Sequence, residues 1–94
     1  MVFDYDLSDK LKLLIKKLVK RDKKKVRIIN RKIREIVQTD PESIDERYKN
    51  LKYSLSDRKR VHIEGPFVMT FRVDKSRNHI VFLDYNHHDR IYER

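Results

Sequence analysis

Apolar positions near the start of the chain follow the period of an α-helix. They fall at i, i+3, i+4 and i+7, which puts them on one helical face. These positions are Leu11, Leu14, Ile15 and Leu18. Ser8 precedes them, and its hydroxyl can accept a hydrogen bond from an orphan amide of the first turn. The pattern predicts an amphipathic helix that Ser8 caps.

A second apolar stripe with the same period follows a short polar break. Its members are Val26, Ile29, Ile33, Ile36 and Val37. Asp22 lies between the stripes, where it can end one helix and cap the next. Pro41 ends the second pattern because proline lacks the amide that a helix interior needs. We therefore predict an antiparallel helical hairpin rather than one long helix through Asp22, since a hairpin lets both stripes cover one core.

The second half of the chain alternates apolar and polar residues, which indicates strands. Strands are predicted over residues 60–64, 67–73 and 79–85, separated by a Gly65-Pro66 turn and a polar loop. Weak alternation over residues 2–6 predicts a short first strand. A partly ordered loop is predicted over residues 40–58, and one helical turn over residues 86–94.

The order of these elements indicates an α+β fold with the sequence β-α-α-β-β-β. We expect one domain over residues 1–94, in which the helical hairpin packs on the apolar face of a small antiparallel sheet. The other sheet face then remains available to a ligand. That face carries Arg60, His62, Thr70 and Arg72.

Charge points to a polyanionic partner. Lys and Arg number 24 against 15 Asp and Glu, which gives a net charge of +9, and such an excess attracts nucleic acid. Residues 10–34 hold 13 Lys or Arg and a single acid, Asp22. The predicted RNA-binding residues are the cations around the turn between the helices, with Arg72 from the sheet. In the turn they are Lys20, Arg21, Lys23, Lys24 and Lys25.

Other features narrow the class of protein. The chain contains no Cys, so thiolate chemistry and a disulfide framework are excluded. The N-terminus lacks the apolar run of a signal peptide, and no segment approaches the roughly 20 apolar residues of a membrane span. We expect a cytoplasmic protein without a membrane partner and without a cofactor.

The strand that begins at Arg60 and the ending His-His-Asp-Arg-Ile-Tyr resemble the RelE toxins of bacterial and archaeal toxin–antitoxin pairs. The segment Tyr48-Lys49-Asn50-Leu51-Lys52 resembles the family's loop before its second strand. This resemblance covers nearly the whole chain and agrees with the element order. It implies an RNase-like fold, cleavage of messenger RNA in the ribosomal A site, and an antitoxin that wraps the toxin.

Cleavage of RNA by its own 2′-hydroxyl needs a base, an acid and cations that stabilise the phosphorane. The resemblance implies that Arg60 and His62 bind the scissile phosphate and assist proton transfer. It also implies that His88 is the general acid or base and that Tyr92 holds the nucleotide. His87 is a further candidate, although adjacent residues point in different directions and one of the two histidines is expected to face the site.

One position departs from the family pattern. A catalytic arginine often follows the turn into the third strand, where this chain has Val68. Arg72, on the same face, is the candidate to replace it. Asp84 and Asp89 are candidate partners for His87 or His88. No metal site is expected, because the adjacent pair His87-His88 does not form a normal cluster and no carboxylate spacing completes one.

Three functions remain open from the sequence. The first is a toxin that inhibits translation as a metal-independent endoribonuclease. The second is a catalytically weak or inactive protein of the same fold that binds RNA or gyrase, and the third is a simple basic nucleic-acid-binding domain. For the first, the expected partners are the ribosome, mRNA and an acidic antitoxin in a hetero-oligomer, with the free toxin monomeric.

Overall fold

The computed structural model describes residues 2–91 and contains the predicted helical hairpin. Helix α1 spans Asp9–Arg21 and helix α2 spans Lys23–Val37. Ser8 caps α1 by accepting a hydrogen bond from the Leu11 amide at 3.1 Å. Asp22 serves both helices, because its amide donates to the Leu18 carbonyl and its side chain accepts from the Lys25 amide at 3.0 Å. The predicted break at Asp22 is confirmed.

Four strands form one sheet. They are β1 (Asp4–Leu7), β2 (Lys59–Glu64), β3 (Phe67–Asp74) and β4 (His79–His87), in the spatial order β1-β4-β3-β2. Strands β2, β3 and β4 form the predicted antiparallel meander. Strand β1 pairs in parallel with β4, so the sheet is mixed and the expectation of an antiparallel sheet was incomplete. The outer edge of β4 offers β1 the backbone partners that a lone strand lacks.

The core lies between one face of this sheet and the two helices. The apolar stripe of α2 and the alternating residues of β2 and β3 meet there, as the periodicity predicts. Among its members are Leu11, Ile29, Ile33, Ile36, Val61, Met69, Phe71 and Phe82. No helix within residues 2–91 has the length and apolar character needed to cross a bilayer.

The segment between the helices and the sheet is more ordered than the sequence suggested. It contains a third helix, α3 (Ile44–Arg47), and a 3-10 turn at Tyr53–Leu55. Lys59 fixes the segment to β2: its buried ammonium donates to the Tyr48 carbonyl at 3.0 Å and to Asn50 Oδ1 at 2.8 Å. The prediction of a partly ordered loop did not include α3 or this anchor, because lysine is seldom buried.

The end of the chain also differs from the expectation. Strand β4 runs on to His87, and a 3-10 turn follows at His88–Arg90. The prediction that the strand stops at Tyr85 was therefore two residues short.

Candidate active site

The sheet face that points away from the helices carries Arg60 and His62. Both side chains are exposed, as the alternation predicts. Their cross-strand partners on β3 are Thr70 and Val68, which are only 2% and 1% exposed. Thr70 was expected to be available to a ligand, and this was wrong because it lies on an internal strand between longer side chains. Arg60 lies diagonally beside Val68, a position that corresponds to about 7–8 Å in antiparallel pairs.

His87 lies on the opposite, helix-facing side of the sheet. It pairs with Phe67, and the two rings are nearly perpendicular, with centroids 5.9 Å apart. Phe67 in turn stacks on Tyr85 at 5.3 Å. Asn86, one residue earlier, is the residue of β4 that shares a row with His62 and Val68.

His88 opens the terminal 3-10 turn beside His87. Its amide donates to the Pro66 carbonyl at 2.8 Å, which ties the turn to the β2–β3 connection. The two imidazole rings lie 4.8 Å apart. His88 Nδ1 is 2.8 Å from Asp89 Oδ1, and the Asp89 amide donates to His87 Nδ1 at 3.1 Å.

The carboxylate partners of the histidines differ in part from the sequence-based candidates. Asp89, one of the two candidates, contacts both rings. Asp84 is engaged elsewhere, because it forms an ion pair with Lys10 at 3.0 Å. A side chain at the outer edge of β4 is within reach of α1, whereas the histidines lie at the end of the strand.

The basic turn between the helices reaches the same end of the sheet. Lys25 Nζ lies 4.3 Å from the centre of the Phe67 ring and 3.9 Å from a carboxylate oxygen of Glu64. Such a cation over an aromatic face is attractive. Lys25 is therefore held by its contacts with Phe67 and Glu64 and is not a free cation. We call this region the histidine end, comprising residues 20–25, 64–67 and 85–89.

Four further cations of the basic turn are exposed and available to a ligand. None of them lies within ion-pair distance of a carboxylate among residues 2–91. They are Lys20, Arg21, Lys23 and Lys24. An unneutralised cluster of this kind is what a phosphate backbone requires of its partner.

Tyr85 is the buried polar group of the histidine end. Burial raises its pKa to about 12, with help from the negative charges of Asp22 and Glu64. The hydroxyl therefore stays protonated at physiological pH. It has no hydrogen-bond partner within the described part of the chain, which is an energetic cost.

The opposite end of the sheet holds an open pocket of about 680 Å³, and its lining includes Arg72 and His79. We call it the pocket end. Arg72 is paired with Asp57 at 3.4 Å. It is four residues from Val68 along β3, roughly 13–14 Å, so it does not replace an arginine at that position.

Comparison with known proteins shows the family. A protein of Methanocaldococcus jannaschii that carries the provisional name toxin RelE4 is 40% identical over 93 residues, which span 99% of this chain and 94% of that protein. The chain belongs to the RelE/ParE superfamily of toxins. The recognition made from the sequence is confirmed, and the protein is the toxin component of a toxin–antitoxin system. No family model matches the chain.

Solved structures confirm the fold of this toxin. The YoeB–YefM complex from Staphylococcus aureus has a TM-score of 0.73 at 21% identity and covers 92% of this chain and 97% of that chain. A metal-bound toxin from Helicobacter pylori has a TM-score of 0.74 at 18% identity, covering 96% and 99%. At such identities the likeness shows the fold and says nothing about individual residues. RelE and YoeB toxins are generally endoribonucleases.

The toxin brings some of its predicted site residues together and keeps others apart. His87, His88 and the basic turn meet at the histidine end. Arg60 and His62 lie across β3 from the end of β4, two strand spacings or about 10 Å away. No hydrogen bond, ion pair or ring contact within residues 2–91 joins the two groups. Tyr92 lies outside the described residues.

Sequence reasoning missed the role of Phe67. Its place on the apolar face of β3 is typical of a core residue, and the alternation offers no sign that it supports His87 on one edge and Lys25 on one face. The available signal was indirect: Phe67 directly follows the Gly65-Pro66 turn, where a strand starts and a side chain reaches the rim of the core.

Proposed function

We propose that this toxin is a metal-independent endoribonuclease that cleaves mRNA in the ribosomal A site and thereby inhibits translation. One observation supports this most: the two adjacent histidines and the exposed basic turn lie at the same end of the sheet, linked through Lys25 and Phe67. Imidazoles suit proton transfer near neutral pH. Unneutralised lysines suit the phosphate backbone.

Each group has a separate role in this proposal. His88, which is about half exposed, acts as the general acid or base, and His87 is the second imidazole of the pair. Arg60 supplies a planar fork for the scissile phosphate and offsets the charge of the phosphorane. His62 assists on the same face. The basic turn binds the flanking RNA, and Tyr92 is proposed to stack on a base.

A second function has its own supporting observations. Val68 occupies the position where the family often has an arginine, and the Arg60 face lies about two strand spacings from the end of β4. Both features suit a toxin of weak or absent catalytic activity that acts by binding RNA or gyrase. In that case the basic turn is the principal contact surface.

The proposed partner is a cognate antitoxin of acidic character. A toxin of net charge +9 attracts an acidic, initially disordered chain, and wrapping buries apolar surface together with charge. We also propose that the toxin acts in the cytoplasm, where its ribosomal target is found.

The direct test is cleavage of ribosome-bound mRNA by the wild type, His88→Ala and Arg60→Ala. Removing a positioned acid or base typically costs about 10²–10⁴-fold in rate, so both variants are expected to be strongly impaired while folding normally. Cleavage that neither substitution affects would contradict the site. Absence of cleavage by the wild type, with growth arrest retained on expression, would support the binding function instead.

A further inference from the structure

We propose that His87, His88 and Asp89 bind a divalent transition-metal ion, for which Zn²⁺ is the probe. Each residue offers one ligand atom, and the three atoms lie within 4.8 Å of one another. This is the one cluster of three metal-binding side chains within residues 2–91. Nothing in the proposed cleavage reaction uses a metal, so the site adds a property to the toxin.

The donor set suits a borderline metal. Imidazole nitrogens are good ligands for Zn²⁺ and Cu²⁺, whereas Mg²⁺ and Ca²⁺ prefer oxygen. Two nitrogens and one carboxylate oxygen make three protein ligands, which leaves a fourth position of a tetrahedral ion for water. Side-chain exposures of 36% for His87 and 47% for His88 give water access to that position.

The local geometry needs little change to bind the ion. His88 Nδ1 and Asp89 Oδ1 are already 2.8 Å apart, and His87 Nδ1 is 3.6 Å from Asp89 Oδ2. Ligand atoms about 2.0–2.2 Å from a tetrahedral ion lie roughly 3.3–3.6 Å from one another. Small rotations of exposed side chains are therefore sufficient, and the ion would replace the Asp89 amide as the partner of His87 Nδ1.

The surroundings hold the ligands in place. The His87 ring packs on Phe67, and the amide of His88 is bonded to the Pro66 carbonyl. Asp22 and Glu64 contribute negative charge to this end of the molecule, as their influence on Tyr85 shows. Their charge offsets part of the repulsion that a protein of net charge +9 exerts on a cation.

Metal binding has a consequence for cleavage, and this half of the inference rests on the proposed function. A histidine whose Nδ1 binds a metal keeps its proton on Nε2 and has no lone pair left to accept another. Neither His87 nor His88 could then act as a general base. The bound metal would therefore inhibit the ribonuclease rather than assist it.

Binding is tested by titrating chelator-treated toxin with ZnCl₂ in a calorimeter, without RNA. We expect binding of one Zn²⁺ and no binding of Mg²⁺. Loss of a group that merely orients a ligand costs about 10–100-fold in affinity, so His88→Gln and Asp89→Asn should each weaken Zn²⁺ binding at least about tenfold. Circular dichroism checks that the variants are folded.

His79→Gln is the matched control. It removes an imidazole that also lies beside a carboxylate, since His79 Nε2 is 3.0 Å from Asp6 Oδ2, but that pair has no third ligand among residues 2–91. Its Zn²⁺ affinity should equal that of the wild type. Equal affinity in the wild type, His88→Gln and Asp89→Asn, or a loss confined to His79→Gln, would overturn the site.

Cleavage is measured separately, as the ratio of rates with and without Zn²⁺ for each protein. The wild type should be inhibited and recover when chelator is added, whereas Asp89→Asn should keep a larger fraction of its own rate. Zn²⁺ that binds without slowing cleavage would overturn the inhibitory role. Chelated wild type that cleaves nothing would contradict the proposed function, while calorimetry would still decide the metal site.

Discussion

The two ends of the sheet are both rich in charge, yet they use it differently. At the pocket end, cations are paired with carboxylates of the toxin itself, so the region is largely self-neutralised. These groups are Lys59 and Lys75 with Asp45, Arg72 with Asp57, and Arg77 with Asp74. At the histidine end, four exposed cations of the basic turn have no carboxylate partner within residues 2–91.

Charged side chains at the pocket end stabilise the fold by pairing with one another, whereas those at the histidine end are available to bind a ligand. Hydrogen bonds from Lys75 and Lys59 hold the pKa of Asp45 below its usual range, which describes a carboxylate committed to internal partners. The pocket at that end is therefore not the favoured RNA site. The histidine end combines exposed positive charge with two imidazoles, and RNA cleavage needs both accessible positive charge and groups that transfer protons.

The substitution Phe67→Ala should have the largest effect on the histidine end. The phenyl ring contacts His87, Tyr85 and Lys25, so its removal should lower the free energy of unfolding by about 3 kcal/mol. The proposed cleavage should fall in the folded variant as well. Urea unfolding and ribosome-bound mRNA cleavage measure the two effects. Phe67→Leu keeps most of the apolar volume and is the control; an Ala variant that folds and cleaves normally would contradict the supporting role of Phe67.

Lys59→Ala should show the opposite behaviour at the pocket end. Its loss leaves the buried Tyr48 carbonyl and Asn50 side chain without a donor, which should cost on the order of 2 kcal/mol of stability. Cleavage per folded molecule should not change. Lys75→Ala removes an exposed partner of the same Asp45 carboxylate and should cost less than about 1 kcal/mol. Reduced cleavage by folded Lys59→Ala would contradict the claim that the pocket end contributes to stability and not to cleavage.

Charge reversal compares the ends directly. Lys23→Glu with Lys24→Glu and Lys75→Glu with Arg77→Glu change the net charge equally, but only the first pair lies in the basic turn. The first double variant should bind single-stranded RNA more weakly and lose about 0.7 from the salt slope for each phosphate contact removed. Fluorescence anisotropy over a range of NaCl concentrations gives both quantities. Equal losses in the two variants would show that RNA binding follows net charge alone.

Tyr85→Phe is a smaller test of the same region. Removing a buried hydroxyl without a partner should raise stability by about 1 kcal/mol. The pKa of Tyr85 is raised from 10.0 to about 12, so the unfolded chain ionises first and wild-type stability should fall as pH rises above 10. The Phe variant lacks that contribution and should lose less stability there. Denaturant unfolding between pH 8 and 11 makes the comparison. A difference in the free energy of unfolding between Tyr85→Phe and wild type that is larger at pH 8 than at pH 11 would contradict it.

Much of the fold follows from periodicity. The apolar stripes have the spacing of the helices found in the structure. Asp22 interrupts the pattern at the point where its side chain caps the next helix by accepting a hydrogen bond from the Lys25 amide. The meander follows from alternation and from the Gly65-Pro66 turn. The parallel pairing of β1 with β4 does not follow, because four residues of weak alternation contain no information about which strand edge is free.

The candidate site could be predicted only in pieces. Arg60 and His62 share a face because strands have a period of two, and the sequence shows this directly. The meeting of the basic turn with the histidines depends on Phe67, which contacts both, and such contacts arise from packing across elements distant in sequence. The same holds for Asp89, whose approach to two imidazoles depends on a tight 3-10 turn.

One measurement tests the central claim that the histidine end is the site of cleavage. It compares ribosome-bound mRNA cleavage by His88→Gln and His79→Gln. These variants remove the same chemical group from the residue that follows β4 and from the first residue of β4. His88→Gln is expected to be at least about 100-fold slower than wild type, whereas His79→Gln is expected to cleave at the wild-type rate. Equal rates in the two variants, or a loss confined to His79→Gln, would contradict the account.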